Sequence, residues 1–231
     1  MSQTKILDAA SWHKGSYFYL LLLLLFTMFV LPLASTEISN SLPLGLFLSL
    51  IMLLGLYSLR QSRKVFWVGV LIVTPAFSTR WISYFMDTQL AGGIAEISGA
   101  IFWFFNFMII IIHLLEERKI SLNTIYGGIV AYLLIALCFS SLYHGIFIFN
   151  NNAFLFNGAL ETIGQSIDNQ TFGNFTYYSL ITLSTVGYGE ITPFSNPARF
   201  ASAFQGILGQ LYLTIFLARL VGMHIAQFQQ Q

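Results

Sequence analysis

Six long apolar runs, separated by short polar segments, constrain the fold of this chain more than any other feature of its sequence. A helix needs about 20 apolar residues to cross a bilayer, and these runs are close to that length. Only 8% of the residues are charged, whereas soluble domains carry about 25%. The sequence therefore predicts an all-α membrane protein with six transmembrane helices, at about residues 17–34, 44–59, 65–84, 94–115, 124–149 and 197–226.

The distribution of basic residues predicts how these helices are oriented. Basic side chains precede the first run and connect the second to the third and the fourth to the fifth: Lys5, Lys14, Arg60, Arg63, Lys64, Arg118 and Lys119. Because basic loops stay on the cytoplasmic side, both termini are predicted to be cytoplasmic. The segment between the fifth and sixth runs is then extracellular.

The N-terminal part of the chain has alternative interpretations. Residues 1–16 are expected to form a cytoplasmic or interfacial segment, either as a short surface helix or as a disordered tail. The first run, with its leucines and the sequence Leu33-Ala34-Ser35, also fits a secretory signal peptide.

The segment Thr185-Val186-Gly187-Tyr188-Gly189 carries the main functional signal. Four copies of such a segment can replace the water shell of a potassium ion with backbone carbonyl oxygens. To aim successive carbonyls at one axis, the backbone must alternate with left-handed dihedral angles, which glycine adopts without a Cβ clash. The sequence predicts potassium ligands at Thr185, Val186, Gly187 and Tyr188. Since the chain holds one copy of this motif, a homotetramer is expected.

The surrounding sequence resembles the potassium channel superfamily. Residues 177–193, YYSLITLSTVGYGEITP, resemble the pore helix, selectivity filter and exit of these channels. The resemblance implies a re-entrant pore helix at residues 172–184 and a brace behind the filter formed by Tyr178 and Glu190. A solvated charge at the pore mouth is the alternative role for Glu190.

The last run resembles the inner helix of small bacterial potassium channels without a regulatory domain, over residues 211–225. Gly209 is expected either to act as a hinge or to permit close helix packing. Leu217, Val221 and Ile225 share one helix face by their i, i+4, i+8 spacing and are predicted to form an apolar gate. The alternative is that this stripe faces lipid or another helix. Arg219 is expected to snorkel or to pair with Glu116 or Glu117.

The first four runs share the layout of a voltage sensor but not its charges. The fourth run has no Lys or Arg at every third position, and a sensor needs such charges to respond to the field. Arg80, Asp87 and Glu96 are expected either to form an outer polar cluster or to lie at the level of the lipid headgroups. Between the fifth and sixth runs, residues 150–171 are predicted to form an amphipathic surface helix carrying Phe154, Phe156, Leu160 and Ile163.

These features predict a potassium-selective channel that conducts passively through a homotetrameric pore and is not steeply voltage-gated. We expect three regions: residues 1–16, a front membrane domain at 17–119 and a pore domain at 120–231. No enzyme activity, nucleic-acid partner or cofactor is expected, apart from permeant potassium ions and the lipids of a bacterial plasma membrane. The alternatives are a non-conducting membrane sensor or subunit and a potassium transporter subunit.

Overall fold

A computed structural model describes residues 16–30, 42–58, 63–86, 88–117, 120–156 and 171–228. These residues form seven α-helices and two short strands. In chain order the elements are α1 (Ser16–Leu25, continued by a π-helical turn at Phe26–Val30), α2 (Leu42–Ser58), α3 (Arg63–Met86), α4 (Gln89–Glu116), α5 (Leu122–Phe149), β1 (Phe154–Phe156), α6 (Thr171–Leu183), β2 (Ile191–Pro193) and α7 (Asn196–Phe228). The predominance of helix agrees with the predicted all-α class.

Among the residues that the structure describes, three helices are long and apolar enough to cross a membrane. They are Gln89–Glu116, Leu122–Phe149 and Asn196–Ile225, and two shorter apolar helices lie at Tyr17–Val30 and Gly45–Gly55. The chain is therefore an integral membrane protein. The helices α1 to α5 and α7 coincide with the six predicted runs, but the number of runs that cross the membrane stays a prediction.

Local hydrogen bonds explain where α5 and α7 begin. Ser121 and Thr124 form a capping box at the start of α5, in which each side chain accepts from the main-chain N–H of the other. At the start of α7, the Ser195 hydroxyl accepts from the Ala198 N–H at 3.4 Å. Pro197 is the second residue of α7 rather than the first. It fits there because an N–H in the first helical turn has no partner within the helix.

Helix α5 lies at the centre of the packing, and α7 lies at its edge. In the most apolar stretch of α5, 67% of the residues are buried, whereas in the most apolar stretch of α7 only 6% are buried. Helices α1, α4, α6 and α7 all pack against α5. The largest fully buried side chains include Trp103 of α4, Tyr143 of α5 and Phe175 of α6. Apart from the face that contacts α4, α5 and α6, the surface of α7 is thus open to lipid or to another chain.

The segment after α5 forms a strand, and the amphipathic helix predicted here is wrong for Phe154 and Phe156. Strand β1 pairs antiparallel with β2, with Phe154 opposite Pro193 and Phe156 opposite Ile191. Aromatic residues favour strands, but the partner strand lies far along the chain and a local pattern does not reveal it. The remaining positions of the predicted helix, Leu160 and Ile163, lie outside the described residues.

Candidate functional site

The segment Thr185–Gly189 has an alternating backbone. The φ angles of Thr185, Gly187 and Gly189 are 60°, 57° and 94°, and these are the left-handed residues of the described chain. Two of the three positions are glycines, as the sequence predicts. Thr185 is not, and a side chain in this conformation costs roughly 1–2 kcal/mol. Strain of this kind persists where the surrounding structure enforces it.

Hydrogen bonds fold this segment back over the C-terminal end of α6. The main-chain N–H groups of Val186 and Gly187 both donate to the Ile181 carbonyl, at 2.9 and 3.2 Å, and the Thr185 N–H donates to the Thr182 carbonyl at 3.1 Å. These bonds satisfy carbonyl groups that the end of a helix leaves without partners. They also hold the segment at the negative end of the α6 dipole, which favours a cation nearby.

The segment lies on the surface of the chain. All residues from Ser184 to Gly189 are exposed, and the side chains of Val186 and Tyr188 are 53% and 73% accessible. The four predicted potassium ligands therefore lie together in one exposed stretch, and potassium binding there stays a prediction.

Glu190, directly after this segment, is held by a tyrosine. The hydroxyl of Tyr177 in α6 donates a hydrogen bond to Glu190 Oε1. This bond raises the pKa of Tyr177 to about 12, because an ionised phenol would lose the bond and face the carboxylate. The hydroxyl therefore remains a donor throughout the physiological pH range. The prediction that Tyr178 braces Glu190 is therefore wrong, because the tyrosine that contacts Glu190 is Tyr177.

Tyr178 instead joins α6 to α7. Its hydroxyl lies 2.7 Å from Ser202 Oγ. The single hydroxyl proton of Ser202 goes to the Ala198 carbonyl at 2.7 Å, so Tyr178 is the donor. Neighbouring helical residues point about 100° apart, and this rotation gives the adjacent tyrosines different partners. Sequence spacing alone does not decide which of them faces Glu190.

A buried glutamine of α7, which the sequence analysis missed, connects three helices. Gln205 is 0% exposed. Its side-chain oxygen accepts from the Tyr143 hydroxyl at 2.6 Å, and its amide donates to Ser179 O and Ser179 Oγ at 3.1 and 2.6 Å. The Ser179 hydroxyl then donates to the Ala136 carbonyl of α5 at 2.7 Å. An amide side chain in an apolar run was the available signal, because such residues bind neighbouring helices in membranes.

Gly209 lies where α7 passes close to the end of α6. A Cβ atom at this position would lie 2.2 Å from the Leu183 carbonyl oxygen. Around Gly206, one turn earlier, nothing that the structure describes lies within 4 Å of such an atom. Helix α7 runs without interruption through both glycines. Of the two expected roles of Gly209, this geometry favours close packing over a hinge.

One face of α7 is bound to the preceding helices. The Tyr212 hydroxyl donates to the Gly128 carbonyl of α5 at 2.6 Å. Further along, Arg219 Nη2 donates to the main-chain carbonyls of Leu114, Leu115 and Glu117, at 2.9, 2.6 and 2.9 Å. Arg219 thus caps the C-terminal end of α4, and these bonds go to carbonyl oxygens rather than to the expected carboxylates.

The predicted gate residues lie on the other face of α7. Leu217, Val221 and Ile225 are 63%, 52% and 53% exposed. At 100° per residue, Val221 lies about 200° around the helix from Arg219. This stripe is therefore turned away from α4 and α5. The position agrees with a pore-lining stripe and does not test gating.

A polar cluster around the buried Glu96 links α3 and α4 to α5 and α6. Arg80 Nη1 and His144 Nδ1 lie 2.9 and 3.2 Å from Glu96 Oε1, and Glu96 is 4% exposed. The His144 ring stacks on Phe175 of α6, with ring centroids 5.7 Å apart and planes 19° apart. Arg80 and Glu96 thus form the polar cluster that was one of two expectations for them. Asp87 lies outside the described residues.

Comparison with known proteins agrees with this part of the structure. Residues 129–225, from α5 to the last turns of α7, match the model of a family described as ion channel. The matched segment is therefore similar to an ion channel family, and this similarity supports the resemblance to the potassium channel superfamily that the motif predicted. No curated protein and no solved structure matches the chain.

Proposed function

We propose that the protein is a potassium-selective channel in which four copies surround one axial pore. The observation that carries this proposal is the backbone of Thr185–Gly189, which alternates in handedness, is exposed and rests on the C-terminal end of α6. Rings of carbonyl oxygens contributed by four such segments replace the hydration shell of potassium. Thr185, Val186, Gly187 and Tyr188 supply the ligands, and Gly189 completes the filter.

The need for four chains follows from the geometry of ion coordination. One exposed segment supplies one row of oxygen atoms, whereas an ion must be surrounded. A closed fourfold rotation brings four rows together around an axis. The exposed face of α7 supports this arrangement, since only 6% of the residues in its most apolar stretch are buried and this face has room for neighbouring subunits.

We propose that conduction depends only weakly on voltage. Helix α4 contains no Lys or Arg, so the membrane field has little charge to move there. Arg80 of α3 is paired with the buried Glu96, which offsets its charge.

The front domain, residues 17–119, then serves a role other than voltage sensing, and residues 120–231 form the pore. We also propose that both termini lie in the cytoplasm of a bacterial cell, with the channel in its plasma membrane.

Purified protein in liposomes tests the proposed function. A potassium gradient against sodium should set a reversal potential close to the potassium value. Tyr188→Asp should reduce the discrimination, because it places a hydrated acid beside the filter, while Tyr188→Phe serves as the matched aromatic control. A permeability ratio near one excludes a potassium-selective filter, and absence of current favours the non-conducting subunit. Native mass spectrometry in detergent should give a tetramer.

A further inference from the structure

A second glutamine of α7 directly contacts the segment Thr185–Gly189, which we call the TVGYG segment. Gln210 Nε2 donates a hydrogen bond of 3.1 Å to the hydroxyl oxygen of Thr185. Both residues are exposed, so this bond lies on the surface of the chain and not in its core. Thr185 is the first residue of the segment and its one non-glycine residue with a left-handed φ angle, 60°. The bond therefore anchors the strained end of the segment to α7.

The neighbouring glycine explains why the amide reaches Thr185. Gly209 brings the backbone of α7 against the Leu183 carbonyl, where any Cβ atom would lie 2.2 Å from the oxygen. Gln210 is the next residue on α7, and Thr185 follows Leu183 by two residues. The close approach at Gly209 thus sets the distance that the side chain of Gln210 must span. Gly209 lets α7 approach the end of α6 because it has no side chain, and Gln210 then supplies the hydrogen-bond donor to Thr185.

We propose that Gln210 is a positioning residue for the ion site at Thr185, the first residue of the segment. Its side chain fixes the orientation of the Thr185 hydroxyl, and this orientation sets how strongly the site holds a cation that enters along α7. This inference rests on the proposed function, because it assigns Thr185 to the ion pathway.

The chemistry of the hydroxyl group gives the proposal its physical basis. A threonine hydroxyl has one proton and two acceptor lone pairs. The N–H of Gln210 occupies one lone pair, so the other remains for a cation and the proton must point elsewhere. Threonine is branched at Cβ, and few χ1 rotamers are open to it. A single hydrogen bond therefore suffices to select one orientation of the oxygen.

The proposal distinguishes Gln210 from an ordinary pore-lining residue. A residue that acts by bulk or polarity alone changes ion binding whether or not Thr185 carries a hydroxyl group. A positioning residue changes it only while that hydroxyl is present. The two roles thus separate in a double-mutant cycle.

The experiment uses Gln210→Met, Thr185→Val and the double variant in the full chain, reconstituted in planar bilayers. Methionine has a length similar to that of glutamine but no N–H donor, and valine replaces the hydroxyl of threonine by a methyl group. The probe is Ba²⁺, a divalent ion close to K⁺ in size, added from the side of the C-terminus of α7. The half-blocking Ba²⁺ concentration is measured for each protein. Ala203→Ser, a small change at an exposed position two turns earlier on α7, is the control and should leave this concentration unchanged.

We expect Gln210→Met to shift the half-blocking concentration by roughly 3- to 10-fold, the range set by one hydrogen bond. The same change in the Thr185→Val background should give no further shift. Thr185→Ser keeps the hydroxyl, so Gln210→Met should retain its effect in that background. If Thr185→Val does not conduct, the same cycle is measured as Ba²⁺-dependent thermal stabilisation of the detergent-solubilised protein.

Two results overturn the inference. One is an unchanged half-blocking concentration in Gln210→Met, and the other is an equal shift with and without the Thr185 hydroxyl. In both cases the unaltered protein still conducts potassium, and the proposed function stands. If the unaltered protein conducts no potassium, the proposed function fails, and the assignment of Gln210 fails with it.

Discussion

The hydroxyl of Tyr143 in α5 donates a hydrogen bond of 2.6 Å to the side-chain oxygen of Gln205 in α7. Both side chains are fully buried. Because the amide of Gln205 also binds Ser179 of α6, this one side chain fixes the positions of three helices relative to each other. The helix that supports the TVGYG segment is thereby tied to the rest of the matched channel region.

We expect Gln205→Leu to destabilise the protein. Leucine removes the bonds to Tyr143 and Ser179 and leaves a buried hydroxyl without this acceptor, which costs about 1–3 kcal/mol in soluble proteins. A hydrogen bond between membrane helices contributes about 0.6 kcal/mol on average. The melting temperature in detergent should therefore fall by a few degrees. Ala203→Ser, at an exposed site on the same helix, should leave it nearly unchanged. Equal melting temperatures for the parent and both variants would contradict this assignment.

Two glycines one turn apart should respond to alanine in opposite directions. Gly209→Ala places a methyl group 2.2 Å from the Leu183 carbonyl oxygen, so α7 must move away and stability should fall. Gly206→Ala enters open space and should gain up to about 1 kcal/mol of helix propensity. Thermal unfolding of both variants measures the difference. A stabilised Gly209→Ala protein would show that α7 does not pack on α6 in this way.

The contact between Tyr177 and Glu190 should make the unaltered protein more stable than Tyr177→Phe at neutral pH but not at strongly alkaline pH. The folded pKa of Tyr177 is raised from 10.0 to about 12, so the stabilisation is fully present below pH 10 and is lost as the pH rises towards 12. The melting temperature of the unaltered protein should exceed that of Tyr177→Phe by a constant amount between pH 7 and 9. The two should converge at higher pH.

Tyr178→Phe is the matched control for that experiment. It removes the donor to Ser202, whose own proton remains bound to the Ala198 carbonyl, and it leaves Glu190 untouched. If the unaltered protein is more stable than Tyr178→Phe, and not more stable than Tyr177→Phe, by an amount that disappears at alkaline pH, then the brace lies on Tyr178, as first expected.

The exposed stripe on α7 should contain the gate. Four copies of an apolar side chain on an axis block ions by excluding water. Val221→Asp should therefore wet the constriction and raise the open probability in bilayer recordings. Ile215 is also exposed, at 60%, but lies about 120° away from Val221 around the helix. Ile215→Asp should leave the open probability nearly unchanged, and similar effects of both variants would rule out a specific ring at Val221.

Arg219 should stabilise the junction between α4 and α7. Arg219→Met removes three hydrogen bonds to main-chain carbonyls at the end of α4, and bonds of a charged donor contribute about 1.5–3 kcal/mol. Arg219→Lys should recover part of this loss, because a cation near a helix C-terminus remains favourable. Unfolding in detergent gives the order arginine, lysine, methionine. A methionine variant as stable as the parent would show that these bonds are replaced by water.

Local patterns were sufficient for part of this structure. The motif at Thr185–Gly189 and the helix before it were predictable because backbone handedness and helix formation depend on nearby residues. The choice between Tyr177 and Tyr178 was not, since it depends on a rotation of about 100°. Gln205 and Gln210 were missed because their partners, Tyr143 and Thr185, lie far away along the chain.

The pairing of β1 with β2 also indicates where this chain tolerates change in length. Strands β1 and β2 are held together by their antiparallel pairing. Just before β1, the Ala153 carbonyl also accepts hydrogen bonds from the N–H groups of Phe194 and Ser195, at 2.8 and 3.1 Å. The backbone immediately after Glu190 is therefore anchored independently of how many residues connect β1 to α6. Insertions between residues 157 and 170 add chain beyond this anchor, so an epitope tag there should leave the TVGYG segment in place. The number of residues between β1 and α6 can therefore change while the backbone of Thr185–Gly189 keeps its anchor on the side of β2.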